Sequence, residues 1–193
     1  MLDLAKKVLS IGDVEDGKVK ALTVLDFGCG SGLLSEYLQG KVRTIVCVDA
    51  SSKMCGKVVD KIEKHSWHNV TVVNGIVGAK NPVPADIFTR NAEALAHNRF
   101  DVVFASSVLS FVPDLSDALL GLRLLLRPGG LLIHSDWLNT ETPDNYKEGF
   151  NKELAAKWYT DNGFSPVHTG EVKVKMMGEE MPVFLGVAKS DTV

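Results

Sequence analysis

The sequence predicts an α/β protein built on a doubly wound, largely parallel sheet. Three observations carry that expectation. Strand-like and helix-like segments alternate from Thr23 to Trp158. A glycine-rich turn joins the first strand to the first helix, and an aspartate, Asp49, ends the second strand. An alternating hairpin closes the C-terminal part of the chain. Alternating elements bury a parallel sheet on both faces, and a hairpin adds an antiparallel pair at its edge.

Each element has its own signal. Thr23 to Phe27 (TVLDF) reads as a short buried strand, closed by Gly28-Cys29-Gly30-Ser31-Gly32. Leu33, Leu34, Tyr37 and Leu38 follow at helical spacing, and Gly40 ends that helix. Thr44 to Val48 is the second strand. Ser51 or Ser52 can cap a helix whose apolar face is Met54, Val58 and Ile62. Val70 to Val73 reads as the third strand. From Gly78 to Arg99 the pattern weakens, with Pro82 and Pro84 at its start and a faint helical spacing in Ile87, Ala94 and Leu95.

Phe100 to Ala105 is a fourth strand, apolar almost throughout, as a strand covered on both faces requires. Leu115, Leu119, Leu122 and Leu126 mark a helix stopped by Pro128-Gly129-Gly130. Leu131 to Ser135 is the fifth strand. Leu154 and Trp158 lie on a helix that Gly163 can terminate. Val172, Val174 and Met176 then alternate with Lys173 and Lys175, and Gly178 turns the chain into Met181 to Ala188. No internal repeat or linker interrupts residues 1–193, so one domain is expected.

Composition narrows the function classes. The chain is 45% hydrophobic and 23% charged, with a net charge of −3. No basic stripe is present, so nucleic acid is not the expected partner. No run reaches the ~18 apolar residues that a membrane span needs. Met1 to Ser10 lacks a signal-peptide pattern. Three cysteines, Cys29, Cys47 and Cys55, are odd in number and lack metal-ligand spacing. No metal is expected, and a cytoplasmic location fits best. The oligomeric state stays open.

The chemistry centres on the strand–glycine loop–helix unit. Glycine lets the backbone turn sharply and approach a ligand, and the helix beyond offers unpaired N–H groups. Asp49 follows Gly28 by 21 positions, where a carboxylate can accept both hydroxyls of a ribose. A dinucleotide fingerprint, G-x-G-x-x-G, places its third glycine three residues after the second. Here Gly28, Gly30 and Gly32 are spaced by two, which favours a nucleoside ligand without a diphosphate.

VLDFGCGSGLLSEYL, VDASSKM, FDVVFASSVLSFVPDL and LRPGGLLI resemble successive motifs of the class I S-adenosylmethionine-dependent methyltransferases. They stand in the family's order over roughly residues 20 to 136. The resemblance implies a Rossmann-like, seven-stranded sheet in the order 3-2-1-4-5-7-6, with strand 7 antiparallel. It implies S-adenosyl-L-methionine as cofactor. Asp26, Gly28 and Gly30 would flank its methionine part, Asp49 would hold its ribose and Ser106 would sit by its amino-acid end; Cys29 and Ala50 would also contact the cofactor. Met54 would either lie near the adenine or pack as an ordinary helix-face residue. After the third strand the family often reads G-D-A, where the acid accepts the adenine amino group. This chain reads Asn74-Gly75-Ile76-Val77 instead, so backbone groups of Gly75 and Ile76, or the Asn74 amide, would substitute.

The acceptor is expected at the mouth formed by Ser106, Ser107, Asp136 and Trp137, where strands end. Asp136 is a candidate base or acceptor-orienting group, although capping or solvent exposure explains it equally well. Trp137 would wall the acceptor pocket or cover the core edge. His134 is either a packed or a catalytic histidine. A subset of similar methyltransferases carries H-x-G-F where this chain has Lys147-Glu148-Gly149-Phe150. Glu148 or Lys147 would take over that histidine's role, or the segment is a solvated helix entry. The expected function is methyl transfer to a small-molecule acceptor. The alternatives are a methyltransferase-like partner subunit without activity, and an NAD-dependent oxidoreductase.

Overall fold

The computed structural model describes residues 19–80, 99–139, 145–176 and 179–191. The chain runs β1 (Thr23–Phe27), α1 (Leu33–Leu38), β2 (Thr44–Asp49), α2 (Ser52–His65), β3 (Val70–Asn74) and β4 (Phe100–Ser106). It continues through α3 (Leu115–Leu125), β5 (Leu126–Asp136), α4 (Lys152–Asp161), β6 (Phe164–Met176) and β7 (Glu179–Ser190). The strands form one sheet in the order β3-β2-β1-β4-β5-β7-β6. β1, β2, β3, β4 and β5 run parallel to one another, and β7 runs antiparallel to both β5 and β6. That is the order and the strand direction the motifs imply.

Alternation along the strands builds two cores. Leu25, Phe27, Val46, Val103 and Leu132 face α3 and α4, where Leu119, Leu122, Leu154 and Tyr159 cover them. Val24, Ile45, Cys47, Val102 and Ile133 face the other way, onto Leu34 and Leu38 of α1 and Val58 of α2. Each central strand is therefore buried on both faces, and its sequence is apolar at nearly every position. Ser51 caps α2, accepting the Met54 N–H at 3.4 Å, and Asp114 and Asn151 cap α3 and α4 in the same way.

Two boundaries and one helix face differ from the sequence expectation. Leu126 does not extend α3: its backbone is extended and it pairs with Phe100 as the first residue of β5. Pro128 disfavours helical geometry just before it, and Leu126 is fully buried as the first residue of a strand, an apolar position that helical spacing matches equally well. β6 begins at Phe164 rather than at Val172. Pro166, with a register shift between it and His168, hides the strand, yet β6 is the sheet edge, where a missing N–H is tolerated. On α2 the buried residues are Cys55 and Val58, with Ile62 partly buried against them, while Met54 is only half-buried. The faint helical pattern over Ile87, Ala94 and Leu95 and the turn at Gly178 lie outside the described residues.

Candidate functional site

The C-terminal ends of β1, β2, β3 and β4 meet around a cavity of about 300 Å³. Phe27, Gly28, Val48, Asp49, Ala50, Gly75, Ile76, Val108, Phe111, Val112 and Pro113 line it. The loop after β1 is pinned to β2, because the N–H groups of Gly28 and Cys29 both donate to the Val48 carbonyl, at 2.8 and 3.1 Å. Gly28 and Gly30 have φ of +68° and +53°, a region that side chains avoid. Their missing Cβ atoms serve different ends. At Gly28 a Cβ would collide with Val108, whereas at Gly30 it would meet no atom within 4 Å. Gly28 thus admits a neighbouring side chain, and Gly30 keeps the loop open on its outer side.

Asp49 ties the two strand ends together. Its Oδ2 accepts the Gly30 N–H at 2.8 Å and its Oδ1 accepts the Ser51 N–H at 2.8 Å. From β3, the Asn74 amide donates to the carbonyls of Asp49 (2.9 Å) and Ala50 (3.1 Å), and the Gly75 N–H donates to Asp49 O at 3.0 Å. Asn74 and Gly75 therefore brace the Asp49–Ala50 turn. Ile76 stands in the cavity wall with 57% of its surface exposed. Met54 is not among the cavity-lining residues.

Asp26 lies beneath the loop and is buried. Ser35 Oγ, from α1, donates to Asp26 Oδ2 at 2.6 Å. Burial raises the Asp26 pKa to about 6 despite that hydrogen bond, and the charge of Asp49 pushes in the same direction. Cys29 turns its side chain into the core beside Cys47, whose hydrogen bond, together with burial, raises the Cys29 thiol pKa. This thiol is a packing group.

On the β4 side, Ser106 Oγ and Ser135 Oγ are 2.9 Å apart, and the Ser107 N–H donates to Ser135 O at 2.7 Å. Ser107 has φ +51°, one of two non-glycine residues in the left-handed region among the described residues. Beyond it Val108, Phe111, Val112 and Pro113 form the apolar wall, with Phe111 71% exposed. The Lys147-Glu148-Gly149-Phe150 segment braces that wall. Tyr146 Oη donates to the Val112 and Pro113 carbonyls at 3.2 and 3.1 Å, and Lys147 Nζ donates to Val112 O. Glu148 accepts from the Asn145 amide at 2.8 Å and is exposed. Trp137 is half exposed at the end of β5.

Asp136 sits at the end of β5, but its carboxylate points inward. It accepts from Ser110 Oγ (3.0 Å), the Ser110 N–H (3.2 Å) and the Trp137 N–H (2.9 Å). His134 Nε2 lies 3.5 Å from it, while His134 Nδ1 meets Tyr159 Oη at 2.8 Å. The pattern fits one tautomer, with Nε2–H toward the acid and the tyrosine hydroxyl donating to Nδ1. Burial keeps His134 neutral by lowering its pKa, against the pull of Asp136. For Asp136, burial raises the pKa but is outweighed by the His134, Trp137 and Ser110 bonds, so the net shift is downward. His134 also packs edge-on against Phe150, with ring centroids 4.3 Å apart, which makes it a core histidine. Val108 and Ser110 lie within the FDVVFASSVLSFVPDL motif, which gives neither a contact, and Tyr159 lies outside every motif. Their contacts emerge only in the fold, which brings Val108 to Gly28, Ser110 to Asp136 and Tyr159 to His134.

A sheet in this order, with a glycine loop and an acid at adjacent strand ends, is the class I S-adenosylmethionine-dependent methyltransferase fold. The chain belongs to the methyltransferase-domain family, whose model matches residues 3–171. S-adenosylmethionine is the cofactor of that family, and membership sets aside the nicotinamide-dependent oxidoreductase. A ubiquinone biosynthesis O-methyltransferase of Actinobacillus pleuropneumoniae is 30% identical over 112 residues, which cover 58% of this chain and 44% of the relative. The chain thus spans less than half the length of that relative. A S-adenosylmethionine-dependent methyltransferase from Aquifex aeolicus superposes with a TM-score of 0.70 at 20% identity, covering 95% of this chain and 88% of that one. The magnesium protoporphyrin IX methyltransferase of Synechocystis, crystallised with S-adenosylmethionine, gives 0.66 at 23% identity over 98% and 78%. Among the described residues no helix is long and apolar enough to cross a membrane.

Proposed function

We propose that this chain transfers the methyl group of S-adenosylmethionine to a small acceptor that has an apolar portion. The observation that carries this reading is the cavity itself, with the Asp49 carboxylate and the open Gly30 on one side and an apolar wall on the other. The residues present fit the cofactor. Asp49 holds its two backbone donors and still has lone pairs for ribose hydroxyls. Asp26 and Asp49 put negative charge beside the loop, which suits a cationic ligand. Ala50, Gly75 and Ile76 form the flat side where adenine would lie, with main-chain groups standing in for the family's usual acid.

The bound cofactor supplies an activated methyl group on a sulfonium, ready for in-line displacement by the acceptor's lone pair. The protein's residues position and exclude water. Val108, Phe111, Val112 and Pro113 make the acceptor side dry, and Tyr146 and Lys147 hold that wall in place. The exposed Phe111 and Trp137 supply aromatic surface for the acceptor. The O-methyltransferase relatives put hydroxyl-bearing acceptors first in a screen.

The experiment is incubation of the purified chain with methyl-labelled cofactor and fractionated small metabolites, followed by isolation of the labelled product. Label in a protein or nucleic acid fraction alone would overturn the small-acceptor reading. S-adenosylhomocysteine at ~100 times its dissociation constant should also stabilise the fold by ~2.7 kcal/mol. A chain that melts at the same temperature with and without it does not hold the cofactor.

A further inference from the structure

A second cavity lies at the other end of the sheet. It measures about 830 Å³ and is bounded by the starts of β1, β4 and β5, the end of α3 and the end of β7. Arg43, Arg99, Arg123 and Arg127 line it, four of the five arginines in a chain that holds 21 lysines and arginines together. None of its lining residues is lysine. Two carboxylates, Asp101 and Asp191, also line it, which leaves an excess of two positive charges in a protein whose net charge is −3.

The partners of these groups are unequal. Asp101 is fully engaged: Oδ1 accepts Arg127 Nε at 2.6 Å, and Oδ2 accepts the Thr23 N–H and hydroxyl at 2.7 and 2.8 Å. Asp191 accepts Ser165 Oγ at 2.6 Å, and Arg99 donates to the Leu126 carbonyl at 3.3 Å. Arg43 has no polar side-chain partner among the described residues. Arg123 lies flat against Gly163, where a Cβ would come within 3.0–3.1 Å of its Cδ, Nε and Cζ, and its Nε is buried without a hydrogen-bond partner. Gly163 thus fixes the guanidinium at the cavity wall, where its terminal N–H groups are the ones a bound anion can reach.

We infer that this concavity binds a small organic polyphosphate of nucleotide size, with Arg43 and Arg123 as its principal donors. The planar guanidinium fork matches phosphate oxygens two at a time, which an ammonium does not. The excess of two charges calls for a ligand that carries at least two. The volume falls within the range of small-molecule sites, roughly 300–1,000 Å³, and Ala21, Leu124 and Pro128 offer apolar surface to the organic part. The site is separate from the cofactor cavity and does not depend on the methyl-transfer reading.

The test is titration calorimetry of the whole chain with two probes, inorganic tripolyphosphate and ATP, at ~50 mM salt. ATP is added to protein saturated with S-adenosylhomocysteine, so that the nucleoside cavity is blocked. Both probes should bind saturably at one site. Arg43→Gln combined with Arg123→Gln should weaken both at least tenfold and leave S-adenosylhomocysteine affinity within twofold, which also reports that the variant is folded. Arg43→Lys, which keeps the charge and loses the fork, should fall between. The proposal is overturned if neither probe binds at ~1 mM, or if the double variant binds them as well as wild type. It is also overturned if tripolyphosphate alone binds, or if a single-stranded oligonucleotide binds more tightly than ATP with a salt slope corresponding to more than about four phosphates.

Discussion

Val108 occupies the space that a side chain on Gly28 would need: a Cβ built there falls 2.3 Å from Val108 Cγ2 and 2.6 Å from its Cβ. The loop after β1 and the turn after β4 are thereby locked against each other, and both line the cavity at the strand ends. Gly28→Ala should cost ~2 kcal/mol or more, from overpacking and from the strain of a φ of +68°. Adding Val108→Ala should recover part of the packing loss and none of the backbone strain. Denaturant midpoints of the two single variants and the double variant check this. Additive losses would mean that the two side chains do not share the space.

Asp49 carries the second expectation. Asp49→Ala removes the acceptor for the Gly30 and Ser51 N–H groups, which water can then solvate because the residue is only half-buried. The fold should persist, while S-adenosylhomocysteine affinity drops by ~1.5–3 kcal/mol, the range for a charged hydrogen bond. Calorimetric titration of the folded variant decides. Wild-type affinity there would remove Asp49 from the ribose role.

Asp26 links pH to both stability and binding. Burial raises its pKa from 3.8 to about 6 in the folded chain, so the folded state holds its proton more tightly than the unfolded state. Its contribution is therefore full below pH ~4 and is lost as pH rises to ~6, a loss of roughly 3 kcal/mol for the free protein. Asp26→Asn, which still accepts from Ser35, should flatten that decline when unfolding in urea is followed across pH 4–7. A cationic cofactor favours the ionised acid, so S-adenosylmethionine affinity should rise through pH ~6 in wild type and not in the variant. A pH-independent affinity in wild type would separate Asp26 from the cofactor.

The sheet was legible because Val24, Leu25, Ile45, Val46, Val102 and Val103 leave no other place than a doubly covered parallel core. The glycine loop and the place of Asp49 at the end of β2 were legible through spacing, since a turn at positive φ favours glycine at particular positions. The acceptor side was not. Ser110, Val108 and Tyr159 gain their roles from contacts across 25 or more positions, such as Ser110 with Asp136, and no local pattern encodes those. Asp136 shows the same limit from the other direction: its place at the end of β5 is readable from the sequence, but the inward turn of its carboxylate is not. The sequence leaves open whether backbone groups of Gly75 and Ile76 or the Asn74 amide replace the missing acid, and no local pattern shows that this amide also braces the turn that carries Asp49.

The last expectation concerns Asp136, where structure and chemistry pull apart. A general base must come within hydrogen-bond reach of the proton it removes. The Asp136 carboxylate is buried and already accepts from Ser110 twice and from Trp137, with His134 alongside. Hydrogen bonds to its charged form lower its pKa despite burial, which weakens it further as a base. Its contribution to stability is present at neutral pH and is lost only as pH falls below the ordinary carboxylate range, opposite in sign to Asp26. Asp136→Ala should therefore cost ~2–5 kcal/mol of stability, because it leaves buried donors without an acceptor. Asp136→Asn keeps one acceptor oxygen and should cost less. If Asp136 acts by positioning Ser110 and Trp137, Asp136→Asn should change kcat by less than about tenfold while KM for the acceptor rises. Glu148→Ala, at an exposed site, should leave both melting temperature and S-adenosylhomocysteine affinity nearly unchanged. The opposite result for Asp136→Asn is equally readable: a wild-type melting temperature with kcat down 100-fold would make this acid the base, turned outward when the acceptor binds.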